Sequence, residues 1–397
     1  MPRLASKETC TGCAACGNIC PHDAITLRPN EEGFLQPSIN PEKCVECKLC
    51  EKACPIVNGK DLKYPEVTQV YALWDIRTRT ESSSGGAFSA FAHNVLDKGG
   101  VVFGAAWTDE FTCGHIECTS PEELSRLRGS KYVQSDINNT FKAAKAALTE
   151  GKPVLFTGTP CQIAGLRSFL LKPYPNLLTI DIVCHGVPSN VLFKNYISKL
   201  KAEYPQYRDA TGFSFRNLKG WGLQPAVLLQ DKSMKHLSGI SNLYMHGFNR
   251  GMIFRESCYD CHFNGLSRVG DLTIADFWGL GRQGTPFGHN QTQGVSLVLA
   301  NSESGRQALG ELKDCFIEPR AVEEAVPYNH NLVASTKTSP DREALIAAFN
   351  NPELTLKEIS NSFHLTNKTF KGRIKSLLKK SGLFWPVKSL IEKIRAL

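Results

Sequence analysis

Cysteines carry most of the chemistry that this sequence offers: the chain has 397 residues and 15 cysteines, eight of which lie between Cys10 and Cys54. These eight form two runs, CTGCAACGNICP and CVECKLCEKACP, with the common spacing C-x2-C-x2-C-x3-C-P. That spacing is typical of bacterial two-cluster ferredoxins, in which the fourth cysteine of each run binds the other cluster. The sequence therefore predicts two [4Fe–4S] sites. One takes Cys10, Cys13, Cys16 and Cys54, and the other takes Cys20, Cys44, Cys47 and Cys50.

Two structural zinc ions are the alternative use of these eight cysteines. Zinc sites usually combine two C-x2-C pairs across a longer spacer, whereas each run here places four cysteines within eleven residues. The spacing therefore favours clusters. We predict a ferredoxin-like module over residues 1–58, with short strands near Ile25 and Phe34, that needs its metal to fold because it is so small.

The composition excludes several classes of protein. Hydrophobic residues make up 42% of the chain and charged residues 21%, as in ordinary globular proteins and unlike disordered, fibrous or coiled-coil chains. No apolar run approaches the 18 residues of a membrane span, and the N-terminus lacks the apolar stretch of a secretion signal. We expect a cytoplasmic protein, in which disulfides are rare.

After a linker at residues 56–66, the hydrophobic pattern becomes an alternation of strands and helices. VVFGAAW, PVLFTG, LLTIDIVC and VSLVLA are typical of buried strands, and GGAFSAFAHNVLDKGG is typical of a helix. The alternation predicts an α/β domain over residues 66–340 with a mostly parallel sheet covered on both faces. A strand-rich antiparallel insertion is expected near residues 211–235, and a helical, basic C-terminal region is expected over residues 341–397.

Four further cysteines lie far apart in the sequence. Cys161 follows a strand at the start of a helix, where the helix N-terminus favours a thiolate, and Cys184 ends another strand. Both are expected at the carboxyl ends of strands, where open α/β sheets build their sites. Cys258 and Cys261 form a C-x2-C pair. Four ligands suffice for a third [4Fe–4S] cluster, but buried structural cysteines, half a zinc site or a redox pair also fit this spacing.

Six strings follow the cysteine runs in a fixed order: SSSGGAFSAF, GSKYVQSD, FTGTPCQIAGL, IDIVCHGVPS, SCYDC and RVGDLTIADFWG. With these strings, residues 10–279 resemble the coenzyme F-420 hydrogenase/dehydrogenase beta-subunit family. That family includes deazaflavin-oxidising subunits and a plant reductase that acts on a hydroxymethyl chlorophyll. The last hundred residues match the family less distinctly.

The resemblance implies both FAD and the third cluster. In the family pattern, a [4Fe–4S] cluster beside the flavin is held by the cysteines that match Cys161, Cys184, Cys258 and Cys261. The resemblance also implies that two segments border the FAD, and they contain Ser84, Gly85, Gly86, Ser130, Lys131 and Tyr132. A Ser-Gly-Gly turn before a helix offers N–H groups to a pyrophosphate, but it is also an ordinary helix start, and the usual G-x-G-x-x-G fingerprint is missing.

These features predict an iron–sulfur flavoprotein oxidoreductase. Electrons would pass between the ferredoxin clusters, the third cluster and FAD, to reduce or oxidise a substrate or hydride carrier that the sequence does not identify. The alternative is a non-catalytic subunit that relays electrons to a partner enzyme, and a zinc-dependent interaction module is a third interpretation. The expected electron donor is a redox partner protein, such as a ferredoxin or another enzyme subunit, or a small-molecule reductant.

The sequence offers few candidates for contacts with a substrate. His185 is a candidate proton donor, although a buried histidine with ordinary hydrogen bonds is the alternative. Arginine suits a phosphate or carboxylate, and the polar or aromatic residues near the motifs are Arg216, Asn217, Trp221 and Arg255. The simpler interpretation, which we favour, makes Arg216 and Arg255 members of ordinary surface ion pairs.

The net charge of +8 is confined to the last 31 residues, where nine basic residues are opposed only by Glu392. Apolar stripes alternate with basic faces in this tail. The pattern suits peripheral contact with the anionic inner face of a membrane or, in the interpretation that we favour, helices packed on the body of the protein. Because the other residues sum to zero charge, nucleic-acid binding is not expected.

Overall fold

The structure is a computed structural model of the chain that describes residues 1–59, 62–66, 69–216 and 221–366. The predicted basic tail from residue 367 onward lies outside the described residues, and so does Asn217. Within the described part of the chain, no helix is both long enough and apolar enough to cross a membrane.

The N-terminal module has two similar halves. Each cysteine run leads into a short helix, α1 (Ala15–Ile19) or α2 (Leu49–Ala53), and the two strands between the runs, β1 (Ile25–Pro29) and β2 (Leu35–Ile39), pair antiparallel. Both helices start after a residue in the left-handed conformation, Ala14 at φ 60° and Lys48 at φ 58°. The repeated spacing therefore produces a repeated backbone.

An eight-stranded sheet forms the centre of the second domain, in the spatial order β13-β3-β12-β11-β7-β6-β4-β5. Its strands are β3 (Val70–Asp75), β4 (Val101–Trp107), β5 (Cys113–Cys118), β6 (Val154–Gly158), β7 (Leu177–Ile182), β11 (Leu272–Asp276), β12 (Ser296–Ala300) and β13 (Cys315–Arg320). The predicted antiparallel insertion is a separate sheet of β8 (Ala210–Ser214), β9 (Ala226–Leu229) and β10 (Met234–His236).

The prediction of a mostly parallel sheet is wrong, because the sheet is mixed. Only β4, β6, β7 and β11 run parallel to one another, and the remaining pairs are antiparallel. A short apolar run has the same pattern in a parallel and in an antiparallel strand. The segments that connect the strands therefore determine the direction of each strand. The five residues between β4 and β5 are too few for the crossover that parallel strands need, and the segment between β11 and β12 contains no described helix.

Helices cover both faces of this sheet. The main helices are α3 (Ala87–Leu96), α4 (Leu124–Leu127), α5 (Thr140–Thr149), α6 (Pro160–Leu170), α7 (Asn190–Glu203), α8 (Leu243–Asn249), α9 (Glu303–Gly310), α10 (Val322–Ala325), α11 (Arg342–Asn350) and α12 (Leu356–Ser362). Apolar side chains of α3 and α9 pack on one face, and those of α5 and α6 pack on the other. The first two helices of the predicted C-terminal region, α11 and α12, pack against α7.

The ferredoxin module is held against this domain by several contacts. Helices α1 and α2 both contact α6. The predicted linker is also attached to the body, since Tyr64 N donates to Arg268 O at 2.7 Å and Arg167 Nη1 donates to Leu62 O at 2.8 Å. The module therefore presents one end to the α/β domain and the other end to solvent.

Candidate functional site

The first predicted cluster site gathers Cys10, Cys13, Cys16 and Cys54 at the end of the module that faces the α/β domain. Cys10 and Cys13 are buried. Burial, together with the nearby thiols of Cys10 and Cys54, raises the pKa of the Cys16 thiol to about 12. These sulfurs therefore lie near one another, and the structure brings together the four residues that the spacing predicts, including the one from the second run.

The second predicted site lies at the opposite end of the module. Its four predicted ligands line one cavity of about 330 Å³, and they are Cys20, Cys44, Cys47 and Cys50. Cys47 is exposed. Beside it the apolar side chain of Val45 is 60% exposed. The two sites thus share a ligand pattern and differ in their surroundings.

At the third site, a cavity of about 550 Å³, called the third cavity below, is lined by four cysteines from three separate parts of the chain. Cys161 is the second residue of α6, whose start is stabilised by a reciprocal capping arrangement of Thr159 and Gln162. Cys184 follows β7, and Cys258 and Cys261 belong to the loop that begins with a short 3-10 turn. Strands β6 and β7 are parallel neighbours, so Cys161 and Cys184 meet at one sheet edge.

The four thiols of the third cavity also act on one another electrostatically. Burial raises the pKa of Cys161 to about 11 and that of Cys258 to about 12, and it raises the pKa of Cys184 and Cys261 as well. The neighbouring cysteines add to the rise at Cys184 and Cys258. Buried thiols with raised pKa values stay protonated unless they bind a metal. Coordination to a metal removes the proton and stabilises the thiolate.

The arrangement of donors fits a cluster. In the described ranges, no group of three or more His, Cys, Asp or Glu side chains is positioned to hold a metal ion. An iron–sulfur cube bonds each thiolate to a different iron, so its ligands surround a cavity instead of meeting at a point. Four cysteines around one cavity, at the second and the third site, have this form. At the first site, Cys13 is close enough to Cys10, Cys16 and Cys54 to interact with them electrostatically.

The first and third sites are direct neighbours. A Cβ atom at Gly165 would lie 2.8 Å from Cys13 Cβ and 2.9 Å from Cys13 Sγ, so α6 touches the first site through a glycine. The same helix carries Cys161 four residues earlier, which puts both residues on one helix face. Thr11 lines the third cavity. One helix therefore connects the two groups of thiols.

His185 lines the third cavity beside Cys184. Its Nδ1 lies 3.0 Å from Asn331 Oδ1 and 3.3 Å from Thr336 Oγ1. The imidazole packs against the rings of Phe248 and Phe254. The structure thus places this candidate at the cavity, and its role as a proton donor stays a prediction.

The turn that the resemblance assigns to FAD does not present a free anion site. Gly85 is wedged between strands, since a Cβ there would lie 2.1 Å from Leu73 O. Gly86 starts α3 at φ 89°, and a Cβ at this position would lie 3.3 Å from Cβ of the fully buried Asp75. A pyrophosphate at this helix start would meet that buried acidic side chain. Gly85 and Gly86 serve the packing of the turn, and Ser84 Oγ donates at 3.0 Å to the carbonyl of Val295, the residue before β12.

The second assigned segment is also engaged elsewhere. Lys131 Nζ donates to three carbonyls at the end of α4, those of Arg126, Leu127 and Arg128, at 2.9–3.1 Å. Burial lowers the pKa of Lys131 to about 8. The ammonium group therefore caps a helix, and it does not fit the role of a pyrophosphate ligand. Ser130 N donates to Ser83 Oγ at 3.3 Å, and Tyr132 lies among aromatic rings.

The interpretation of Arg216 and Arg255 as surface residues is wrong. Arg216 is 7% exposed and Arg255 is 1% exposed. Arg216 forms a two-pronged ion pair with Asp276, at the carboxyl end of β11, and Trp221 Nε1 donates to the same carboxylate at 2.5 Å. Sequence spacing misses such pairs because Arg216 and Asp276 are 60 residues apart.

Several residues at the site have no clear signal in the sequence. Gly165 could have been noticed as the small residue on the Cys161 face of the helix. Gln134 has no such signal, although its Nε2 donates to Thr11 O and its Oε1 accepts from Arg255 Nε. Asn331 and Thr336, which hold His185, come from a segment that no motif marks.

Comparison with known proteins agrees with this arrangement. Residues 9–57 match the family model of the 4Fe-4S dicluster domain. Residues 151–324 match the family model that describes the C terminus of the coenzyme F420 hydrogenase/dehydrogenase beta subunit. Over residues 151–324 the chain is therefore similar to this beta-subunit family. The resemblance found in the sequence motifs is thereby confirmed, and the dicluster domain supports two [4Fe–4S] clusters in the N-terminal module.

Two curated relatives illustrate the family. The F subunit of the F(420)H(2) dehydrogenase of Methanosarcina mazei is 25% identical over 204 residues, which cover 46% of this chain and 56% of that protein. The coenzyme F420-dependent sulfite reductase of Methanocaldococcus jannaschii is 24% identical over 323 residues, which cover 77% of this chain and 46% of that protein. The chain thus spans about half the length of these relatives.

A solved structure with a similar chain is that of the F420-reducing [NiFe] hydrogenase complex from Methanosarcina barkeri. The two chains are 14% identical, with a TM-score of 0.45, and the match covers 77% of this chain and 94% of that chain.

Proposed function

We propose that this protein is an iron–sulfur oxidoreductase subunit that transfers single electrons between a partner protein and a third [4Fe–4S] cluster in its α/β domain. The ligands of that cluster would be Cys161, Cys184, Cys258 and Cys261. The observation that carries the proposal is their meeting around one cavity next to Cys13 of the first site. Clusters of this type supply one-electron carriers whose potential the protein tunes.

The residues of the chain determine the path of electron transfer between the three sites in three ways. The second site reaches the surface at Cys47, and Cys47 and Val45 are accessible to a partner there. The thiols of the first site are covered by the α/β domain, which excludes water from the middle of the path. Gly165 lets α6 approach Cys13 so closely that the first and third sites share a wall. Short separation and burial are what electron transfer between clusters requires from a protein.

The partner is proposed to be another subunit or a ferredoxin-like protein. One relative of this chain is itself part of a dehydrogenase with several subunits. The exposed Cys47 and Val45 give the outer end of the module a surface that such a partner could approach. Transfer to a partner needs no substrate site in this chain. The proposal therefore corresponds to the relay alternative of the sequence hypothesis.

An FAD-dependent oxidoreductase is the second candidate, and one observation favours it. The buried Nε of Arg216 has no hydrogen-bond partner among the described residues. It lies in a cluster with Asp276 and with the stacked rings of Trp221 and Trp278, and Arg216 Nη2 donates to Ser83 O. A planar ring system would find stacking and hydrogen-bonding groups here. The residues assigned to the pyrophosphate do not support this candidate.

Anaerobic purification of the full chain, followed by measurement of iron, sulfide and flavin, tests both candidates. Three clusters correspond to about 12 irons per chain, and two correspond to about 8. The double variant Cys258→Ala/Cys261→Ala should lose about four irons, whereas Cys315→Ser, on the edge strand β13, should lose none. Only two clusters' worth of iron in the unaltered chain would disprove the third site, and a stoichiometric flavin would favour the second candidate.

A further inference from the structure

Arg255 is a fully buried cation whose direct contacts are all neutral. Its Nε donates to Gln134 Oε1 at 2.9 Å, Nη1 donates to Cys10 O at 3.2 Å and Nη2 donates to Leu35 O at 3.0 Å. The guanidinium also lies 4.9 Å from the centre of the Phe34 ring. These contacts give each nitrogen of the guanidinium one acceptor and supply no negative charge.

Other buried arginines of the protein are paired with a carboxylate. Arg268 is paired with Asp181 at 2.8 Å, Arg342 with Glu32 at 2.7 Å, and Arg320 with Glu324 at 2.7 Å. Arg216 is paired with Asp276.

In the described part of the chain, Arg255 forms no such ion pair. Glu32 and Asp136 are near enough to interact with Arg255 electrostatically, but neither carboxylate forms an ion pair with it. An isolated buried charge is costly, so a counter-charge is expected.

The groups that surround Arg255 are the cysteines of two cluster sites. It lines the third cavity, and its Nη1 reaches the backbone of Cys10 in the first site. In the same turn, Ser257 Oγ donates to Cys10 O at 3.1 Å, and Arg255 N donates to Val187 O, close to Cys184. The guanidinium thus stands between the two groups of thiols.

The backbone of the first site is adapted to this cation. A Cβ at Gly12 would lie 2.6 Å from Arg255 Nη2, and Gly12 has φ 67°. The matching residue of the second run is Glu46, at φ 55°, which is exposed and whose carboxylate binds the N-terminal ammonium. The same backbone conformation therefore accepts a side chain in the second run, and the glycine is needed only where the arginine is present.

We propose that Arg255 is the shared counter-ion of the first and third cluster sites and raises the reduction potential of both. The part of this inference that concerns the third cluster rests on the proposed function. Four thiolates outweigh the positive charge of an oxidised [4Fe–4S] core, so each ligated cluster is an anion that gains a further negative charge on reduction. A nearby buried cation favours the reduced form. Arg255 is a positioning residue, since it acts through the clusters.

The second site provides an internal control, because Arg255 has no contact with its ligands. The experiment is a potentiometric titration of the full, iron-loaded chain followed by electron paramagnetic resonance. In Arg255→Met, we expect the one-electron reduction equilibrium constants of the first and third clusters to fall at least tenfold, which is about 59 mV. The second cluster should keep its potential.

Arg255→Lys separates charge from structure. Lysine keeps the charge and loses the planar fork, so we expect its potentials to stay within tenfold of the unaltered chain. If Arg255→Met loses iron while Arg255→Lys retains it, the charge is required and the proposal is supported. Loss of iron in Arg255→Lys as well would show that the fork geometry is what matters, and it would overturn the proposal.

Equal shifts of all three clusters, or no shift in an Arg255→Met chain with full iron content, would also overturn it. The variant Cys258→Ala/Cys261→Ala distinguishes this failure from failure of the proposed function. In that background the first cluster should still respond to Arg255→Met. A chain with only two clusters would therefore disprove the third site. The effect of Arg255 on the first cluster would still be decided by the same titration.

Discussion

The two cluster sites of the ferredoxin module have the same ligand spacing and opposite surroundings. At the first site Cys13 is buried against Gly165, whereas its counterpart at the second site, Cys47, is exposed. A buried arginine contacts the backbone of the first site, and an exposed glutamate occupies the matching loop position in the second. Identical ligand chemistry therefore supplies two different carriers, an inner one that is screened from water and an outer one that is open to a partner.

The largest effect is expected where the inner site touches the α/β domain. Gly165→Val should displace Cys13, because even the first added carbon would lie 2.8 Å from Cys13 Cβ. We expect loss of about four irons and destabilisation by at least about 3 kcal/mol, from overpacking at the upper end of its usual range. Iron analysis and urea unfolding measure the two effects. The control is Gly17→Ala, whose Cβ would meet the flexible end of Leu27 at 3.1 Å and Ile25 O at 3.6 Å, an ordinary contact.

The attachment of the module should give the next largest effect. Arg342 of α11 forms a two-pronged ion pair with Glu32 in the β1–β2 turn, at 2.7 and 2.9 Å. Arg342→Met leaves a half-buried carboxylate unpaired, which should lower the unfolding free energy by about 3 kcal/mol. The surface pair of Lys98 and Glu311 offers the control, because Lys98→Met should cost less than about 1 kcal/mol. Equal losses in both variants would contradict the difference in burial.

Oxidation should distinguish the two sites in the unaltered chain. The ligands of the second site include the exposed Cys47, and those of the first include the buried Cys10 and Cys13. On brief exposure to air with an iron chelator, we expect the outer cluster to be lost several-fold faster, because exposed cysteines are oxidised first. Time-resolved iron release with paramagnetic resonance signals measures this. Loss of both clusters at one rate would mean that burial does not protect the inner site.

The smallest expected effect compares matching helix positions. Asn18 of α1 is buried and its Nδ2 donates to Asn138 O at 2.8 Å, whereas Lys52, at the same place in α2, is exposed. Asn18→Ala should cost about 1 kcal/mol because it removes the hydrogen bonds that Nδ2 donates to Asn138 O and to Ala14 O. Lys52→Ala should change stability by about 0.5 kcal/mol or less. Thermal unfolding of the two iron-loaded variants gives the comparison.

Local spacing was enough to predict the ligand grouping that the structure brings together in the ferredoxin module. Each run is a short loop whose residues are covalently tied, so the distance between successive cysteines is limited by the chain itself. The exchange of the fourth cysteine between runs followed from the same pattern. The third group depended on the resemblance, because its cysteines are separated by up to 100 residues and nothing local joins them.

The sequence pattern could not predict three features of the structure. They are the direction of the strands, the burial of charged side chains and the contacts made by the two segments assigned to FAD. An apolar run does not state its direction in the sheet, and β12, β3 and β13 proved antiparallel to their neighbours. A lysine beside a Ser-Gly turn looks free in the sequence, but Lys131 caps α4. Each of these outcomes depends on which partner a residue meets, and partners are chosen by the packing of distant segments.

The amino-acid order alone established the types of ligand, the two-cluster loops and the alternation of helices and strands, since these depend on neighbours within a few residues. The fold decided that Gly165 joins two sites, that Arg255 is a buried cation with no carboxylate of its own among the described residues, and that one cluster site faces inward. Those properties arise from contacts between residues tens to hundreds of positions apart, and close packing permits only one arrangement of them.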